Sequence, residues 1–442
     1  MSLGDELVGF LGESPIADGA HVLGWHVELA EGDVVRLGMR DGRLGGPYDA
    51  PSVATRLGGS VELRWSDGLV TRGRLGRAAL VDLPSQLVAW RAEAYSIRLF
   101  APPAPPAACP DVLTVDLLVA ALVAGRPDDL IDGVVGVARS LRERGIESAD
   151  VSVTAGAARR RVVSSAGFDV GWQETTYGLE ISADDLHGAS YASRRLPRDD
   201  ELGRLVVDAA ETVAALRVAD VIPDATRGVL YAPSVVEALL GRFLAPNLDG
   251  RAVVRGRSPF SPDDFATGRS VMGADLDLLV DTTLPFELAT APCSSEGVPA
   301  GRVVLIRAGR LVTPLLDRER AARLERPPTP APRGRPSLML ETSDAASDAA
   351  ISPDVAVELL GDGVVVRSAI GLHTQNARRG EYTVVVPAAQ VVRGGRLGGR
   401  ASVRVRGNVF TLLASAGTRL VRYPGSVTPG LLALGAVDVM PA

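Results

Sequence analysis

The sequence predicts an α+β protein. An N-terminal α/β sandwich-like region with a mixed sheet and helices is followed by a β-rich C-terminal domain of curved, barrel-like sheet. Three observations predict it. Between residues 20 and 100, strand-like segments are separated by Asp-Gly pairs, which favour hairpin turns. Between residues 111 and 220, segments of helical period are interleaved with strand-like runs. After Gly297 the chain is rich in hairpin signals and poor in helical ones. At 442 residues the chain is long for one core, so two or three domains are expected. Its 46% hydrophobic and 23% charged residues are those of a globular protein, for which about 45–50% and 25% are usual. Aromatics are only 4%, so Val, Leu, Ala and Ile must fill the cores.

Taken in order, His21–Leu29 alternates in part and reads as strand, with Asp41-Gly42 and Asp67-Gly68 as turns. Leu83–Ala94 fits helix and strand equally. Ala101–Pro110 is too rich in Pro for a central strand or a helix, and reads as an extended linker. Val115–Val123 is a short apolar helix. Asp129–Arg144 is a longer one, with Ile131, Val134, Val135 and Leu141 on one face and Gly145 free to take a left-handed cap. Val151–Thr154 begins a strand, and Leu202–Val218 is helical. Gly228–Ala232 is a strand. Ser234-Val-Val-Glu237 then has the form of a capping box, before an apolar face of Val236, Leu239, Leu240, Phe243 and Leu244. Ala308-Gly309 and Gly394-Gly395 are turns, and the Pro-rich Arg326–Pro336 is a loop within the last domain. The expected domains are a β-rich 1–100, an α/β 111–222 and a β-rich 225–442.

Charge and cysteine usage exclude several classes. Net charge is −6, and no basic stripe stands out beyond Arg159–Arg161, so nucleic-acid binding is not expected. Every basic residue is Arg; their scatter suggests codon bias rather than an anion site. Cys109 and Cys293 fall in different expected domains, so no disulfide framework is expected and a reducing cytoplasm fits. The N-terminus shows no basic and apolar leader pattern, and no uncharged apolar run reaches about 18 residues, so neither secretion nor membrane insertion is expected.

Several blocks recur in a recognisable order: Gly228-Val-Leu-Tyr-Ala-Pro-Ser-Val-Val-Glu-Ala-Leu-Leu240, Ser295-Glu-Gly-Val-Pro299, Val303–Val312 and Gly371-Leu-His-Thr-Gln-Asn-Ala-Arg-Arg-Gly-Glu-Tyr-Thr383. This order resembles the TldD/PmbA family of metalloproteases, also called modulators of DNA gyrase. The resemblance is good over 225–442, fair over 140–200 and weak over 1–100. That family pairs a zinc subunit, TldD, with a metal-free subunit, PmbA or TldE. The zinc subunit carries His-Glu, three residues, then His on the helix after the first strand of the last domain. The matching helix here, Val235–Leu244, has no His. A catalytic zinc needs three protein ligands and an open position. The chain therefore looks like the metal-free subunit, with no catalytic residue and no cofactor of its own.

The resemblance implies a TldD-like zinc metalloprotease subunit as partner, or a second copy of this chain in a homodimer. Zinc is expected in the partner. It also implies a peptide substrate threaded in extended form, held by edge-strand pairing. Five residues are candidates for the substrate channel. His187 sits in Asp184-Asp-Leu-His-Gly, at the position of Gln in the family's Asp-Asp-Met-Gln-Ser-Gly. Cys293 and Glu296 lie in Cys-Ser-Ser-Glu-Gly-Val-Pro, against the family's Phe-Asp-Asp-Glu-Gly-Val-Pro. His373 and Asn376 lie in the block ending Gly380-Glu-Tyr-Thr, where Asn376 and Gly380 match. Against each stands a plain reading: a polar edge, an inert buried thiol, a turn. Ser164 stands where the family has Asn in Asn-Ser-x-Gly.

His21 and His26 have the spacing of the zinc motif, but Val22 replaces its Glu base. The segment reads as strand, where an odd offset sends the two rings to opposite faces, so no metal is expected there. Two other readings stay open: a stand-alone hydrolase using His187, His373, Cys293 or Glu296, and a peptide-binding or assembly protein.

Overall fold

The computed structural model describes residues 3–40, 43–45, 52–96, 102–125, 128–184, 186–224, 226, 228–331, 337–343, 350–372 and 375–442. The N-terminal half is built on one antiparallel sheet. Its strands are β1 (Ile16–Ala17), β2 (Ala20–Arg40), β3 (Arg43–Leu44), β4 (Ser52–Trp65), β5 (Val70–Gly76), β6 (Ala149–Ser164), β7 (Asp169–Ala183) and β8 (Leu186–Ser193), in the order β5-β4-β2-β6-β7-β8. The 21-residue β2 is its spine, pairing with β4 from Val22 to Arg36 and with β6 from His26 to Met39. Asp67-Gly68 makes the β4–β5 turn with Gly68 at φ 84°. Asp41-Gly42 lies outside the described residues.

One sheet serves two cores. Trp25, Val27, Leu29, Val61, Leu63, Trp65 and Leu75 pack against helices Leu3–Gly12 and Leu83–Ala92. Further along, Val35, Leu37, Met39, Val151, Val153 and Leu179 pack against helices Asp128–Arg142 and Asp199–Leu216. One sheet thus runs through both cores, because β2 is long enough to enter both and Val163 of β6 joins the first. Residues 102–110 form neither helix nor strand; Ala104 is buried among Val162, Phe168 and Cys293. Leu83–Ala92 is a helix, settled by Asp82, whose side chain accepts from Ser85 N at 3.1 Å, and by Pro84 in the first turn.

The C-terminal half carries β9 (Gly228–Tyr231), β10 (Leu276–Asp281), β11 (Arg302–Arg307), β12 (Arg310–Leu311), β13 (Met339–Thr342), β14 (Gly363–Val366), β15 (Glu381–Arg393), β16 (Arg396–Asn408), β17 (Thr418–Val421), β18 (Gly430–Leu434) and β19 (Val437–Pro441). A seven-stranded sheet, β17-β18-β9-β14-β15-β16-β19, curls into a half-barrel, as the expected curved sheet requires. Only its β9–β14 pair is parallel. A second sheet has the order β12-β11-β10-β13. Val229, Val364, Val384, Val386, Val403 and Val405 line the core that the half-barrel shares with the helical segment Pro233–Leu248.

The capping box at Ser234–Glu237 does not form. Pro233 fits the first helical position, with its fixed φ and missing N–H, so the helix starts earlier and Ala232 is the N-cap. Ser234 Oγ instead donates to Arg367 O at 3.2 Å. The apolar face is as read: Val236, Leu239, Leu240, Phe243 and Leu244 are all buried.

Candidate functional site

The helix at the position of the family's metal motif is interrupted. Pro233–Leu239 is α-helical, Leu240–Leu244 is one π-turn, and Ala245–Leu248 is α-helical again. Such single-turn bulges occur often at functional sites. Here the turn leaves Gly241 and Ala245 beside a cavity of about 430 Å³ and sends Phe243 and Leu244 inward. Arg242 donates to Gln375 O, and Asn247 Nδ2 donates to Ala377 O at 2.7 Å, tying the segment to the loop before β15. From Pro233 to Leu248 the one side chain of a metal-binding type is Glu237, which is exposed. Among the described residues no cluster of three or more His, Cys, Asp or Glu is placed to hold a metal. The residues present do not fit a catalytic zinc.

Across the cavity from this helix stands the turn Ser294–Gly297. Ser294 N donates to Val298 O at 2.8 Å, and Ser294 Oγ accepts from Val298 N at 3.2 Å. Gly297 has φ 71°, and a Cβ there would lie 2.7 Å from that of Ala104, so both backbone and space call for Gly. Glu296 is held by its carboxylate, which accepts from Arg318 N at 2.8 Å. Ser295 and Glu296 line both the larger cavity and a second one of about 220 Å³ on the other side of the turn.

The second cavity is floored by the face of the N-terminal sheet that points away from its core. Cross-strand rows place His26 beside Glu62 and Arg72, and Glu28 beside Ser60 and Arg74. The C-terminal half closes over this face. His26 Nε2 donates to Ser295 O at 2.6 Å, and Arg72 bridges Glu62 and Glu319 at 2.5 and 3.0 Å. His26 and His21 lie on one face of β2, not on opposite faces. A bulge between Val22 and Gly24 adds a residue, so Val22 and Trp25 both enter the core and their neighbours both point away from it. A partly buried ion-pair chain runs across the sheet itself: Arg160 reaches Glu28 and Glu174, and Arg194 reaches Glu174 at 3.2 Å.

The other sequence candidates are dispersed. His187 lies on β8, half-buried, where burial lowers its pKa; it lines neither cavity. Asn376 is exposed and caps the short 3-10 turn Ala377–Arg379, accepting from Arg378 N at 3.0 Å. His373 lies outside the described residues. Cys293 is buried, and burial pushes its thiol up to about 12, so it is not a thiolate at neutral pH. Cys109, assigned by sequence to another domain, packs against the same apolar cluster; both cysteines are free. The sequence reading missed Arg72, Arg74 and Arg318. The alternation of Arg72 and Arg74 on a strand was the available signal.

The comparisons agree with this geometry. Residues 225–435 match the model of the PmbA/TldA metallopeptidase C-terminal domain. TldE from Thermococcus kodakarensis shares the fold with a TM-score of 0.78 at 17% identity, over 99% of this chain and 100% of that one. A second solved structure, from Thermotoga maritima, gives 0.76 at 18% identity over 99% of each chain. An uncharacterized protein of Methanocaldococcus jannaschii is 24% identical over 269 residues, 58% of this chain, and the match spans 60% of that protein's length. The fold defines a protein of two β-rich halves, the second of which matches a metallopeptidase C-terminal domain. Residues 225–435 thus carry the C-terminal domain of that family, and the chain as a whole shares the TldE fold.

Proposed function

We propose that this chain is the metal-free, non-catalytic subunit of a two-subunit zinc metallopeptidase of the TldD/TldE type. It contributes substrate-contacting backbone and half of a shared chamber. A TldD-like homologue contributes zinc, its bound water and the Glu base. The observation that carries the reading is the segment Pro233–Leu248. At the family's metal position it presents Gly241, Ala245 and an apolar core face, and its sole acid, Glu237, points to solvent. The substrate is an unfolded or precursor peptide, bound along the 430 Å³ cavity between that segment and Ser294–Glu296. No described helix is long and apolar enough to cross a membrane; we place the complex in the cytoplasm.

The test is reconstitution with the cognate zinc homologue. The purified chain should hold no stoichiometric zinc by elemental analysis and should cleave no peptide. The mixture should cleave well above either protein alone and should lose that activity to a chelator. Peptide cleavage by this chain alone, surviving a chelator, would overturn the proposal in favour of a stand-alone hydrolase.

A further inference from the structure

The 220 Å³ cavity at the junction of the two halves has donors to spare, while each of its carboxylates is engaged. It is lined by His26, Glu62, Arg72 and Arg74 from the sheet, Pro102–Ala104, and Ser295, Glu296, Arg318 and Glu319 from the C-terminal half. Its three carboxylates already serve protein groups: Glu62 and Glu319 accept from Arg72, and Glu296 accepts from Arg318 N. Three donors remain. Ser295 Oγ is buried without a hydrogen-bond partner, and so is Arg318 Nε. Arg318 Nη2 reaches only the carbonyls of Pro102 and Pro103, at 3.1 and 3.4 Å, and the guanidinium meets no carboxylate among the described residues. Burial pushes its pKa down, as for a cation short of a counter-charge. Arg74 is exposed at the rim and makes no hydrogen bond or ion pair among the described residues. Buried donors left unpaired are costly, so the cavity is complementary to an acceptor with negative charge.

We propose that this cavity binds a carboxylate, supplied by the C-terminus of a peptide. A planar carboxylate matches the guanidinium fork of Arg318, and Arg74 lines the same cavity as a second cation. Three nearby glutamates disfavour a dianion such as phosphate and leave a single charge as the better fit. Ser295 and Glu296 line both this cavity and the larger one, which makes a peptide lying along the 430 Å³ cavity the natural source of the carboxylate. The source of the carboxylate rests on the peptide-binding role proposed above; the chemistry of the cavity does not.

Calorimetric titration of the full chain tests this with three probes: N-acetyl-tetra-alanine as the free acid, the same peptide as its C-terminal amide, and N-acetyl-alanine as a small free carboxylate. The acid should bind roughly tenfold more tightly than the amide, the scale of one charge-assisted hydrogen-bonded pair. Arg74→Gln, at an exposed and unpaired position, should reduce that preference about fivefold or more without moving the thermal midpoint. Arg318→Met should abolish it, with circular dichroism reporting an intact fold. Acid and amide binding equally, with no effect of Arg74→Gln, would overturn the carboxylate site and leave the peptide role standing. N-acetyl-alanine binding as tightly as the longer acid, with the same Arg74 dependence, would keep the carboxylate site and overturn its peptide source. No binding of either acid at millimolar concentration would overturn both.

Discussion

Arg194 shows how much a single buried cation can hold. It is 4% exposed and donates to Glu287 O at 3.0 Å, Leu288 O at 2.9 Å and Thr175 O at 3.3 Å, while pairing with Glu174. It therefore joins the sheet to the C-terminal half. Arg194→Ala leaves three carbonyls without this donor and a buried carboxylate short of a partner, and should destabilise by about 3–5 kcal/mol. The urea midpoint at constant slope reads this; a loss below about 1 kcal/mol would show the pair to be dispensable. Glu201 carries a pH signature. Its carboxylate accepts from Arg195 at 2.7 and 2.8 Å and from Arg198 N at 2.8 Å. The hydrogen bonds from Arg195 are the largest cause of its pKa falling to about 2. The folded value lies below the unfolded one, so this stabilisation is full above the ordinary Glu value of 4.5 and drains away as pH falls toward about 2. Glu201→Gln should lose less stability than the parent across that window. Superimposable pH profiles for the two proteins would contradict this assignment.

At the scale of elements, turns are where local sequence has least freedom. Gly309, between β11 and β12, has φ 71°, and a Cβ there would lie 2.3 Å from Met272 O and 2.7 Å from Gly273 O. Gly425 has a similar φ of 78° but open space around the added atom. Gly425→Ala should therefore cost only the left-handed strain, about 1–2 kcal/mol. Gly309→Ala adds a collision with backbone and should lower the thermal midpoint clearly further. Equal midpoints for the two variants would mean that the β11–β12 turn relaxes away from the clash at little cost. The π-turn Leu240–Leu244 is set by tertiary packing: Phe243 and Leu244 are buried while Gly241 faces the cavity.

For the whole molecule, the proposed shared chamber has two consequences. Cys293 is buried and its thiol is protonated at neutral pH, so Cys293→Ala should leave the reconstituted mixture as active as the parent. Loss of turnover in a folded variant would assign the thiol a role in the chemistry. A paired assembly also requires a large interface, about 2,000–5,000 Å² for an obligate one. Sedimentation at micromolar concentration should show a dimer, of this chain alone or with the zinc homologue. A monomer with no gain in mass on mixing would refute the assembly.

The sequence by itself determined the fold class, the main helices and the absence of metal ligands at the family's metal position. These depend on local period, on turn chemistry at pairs such as Ala308-Gly309, and on residue identity along Val235–Leu244. It also contained the Asp82 cap and Pro84 that make Leu83–Ala92 helical, though its apolar pattern fitted both states. Tertiary structure alone decided the rest. A one-residue bulge after Val22 put His21 and His26 on the same face, which no regular period predicts. The length of β2 carried one sheet across two cores. The second cavity joins residues separated by more than two hundred positions, such as Arg72 and Glu319. Such contacts arise from the closing of one half on the other, and local sequence carries no record of which faces will meet.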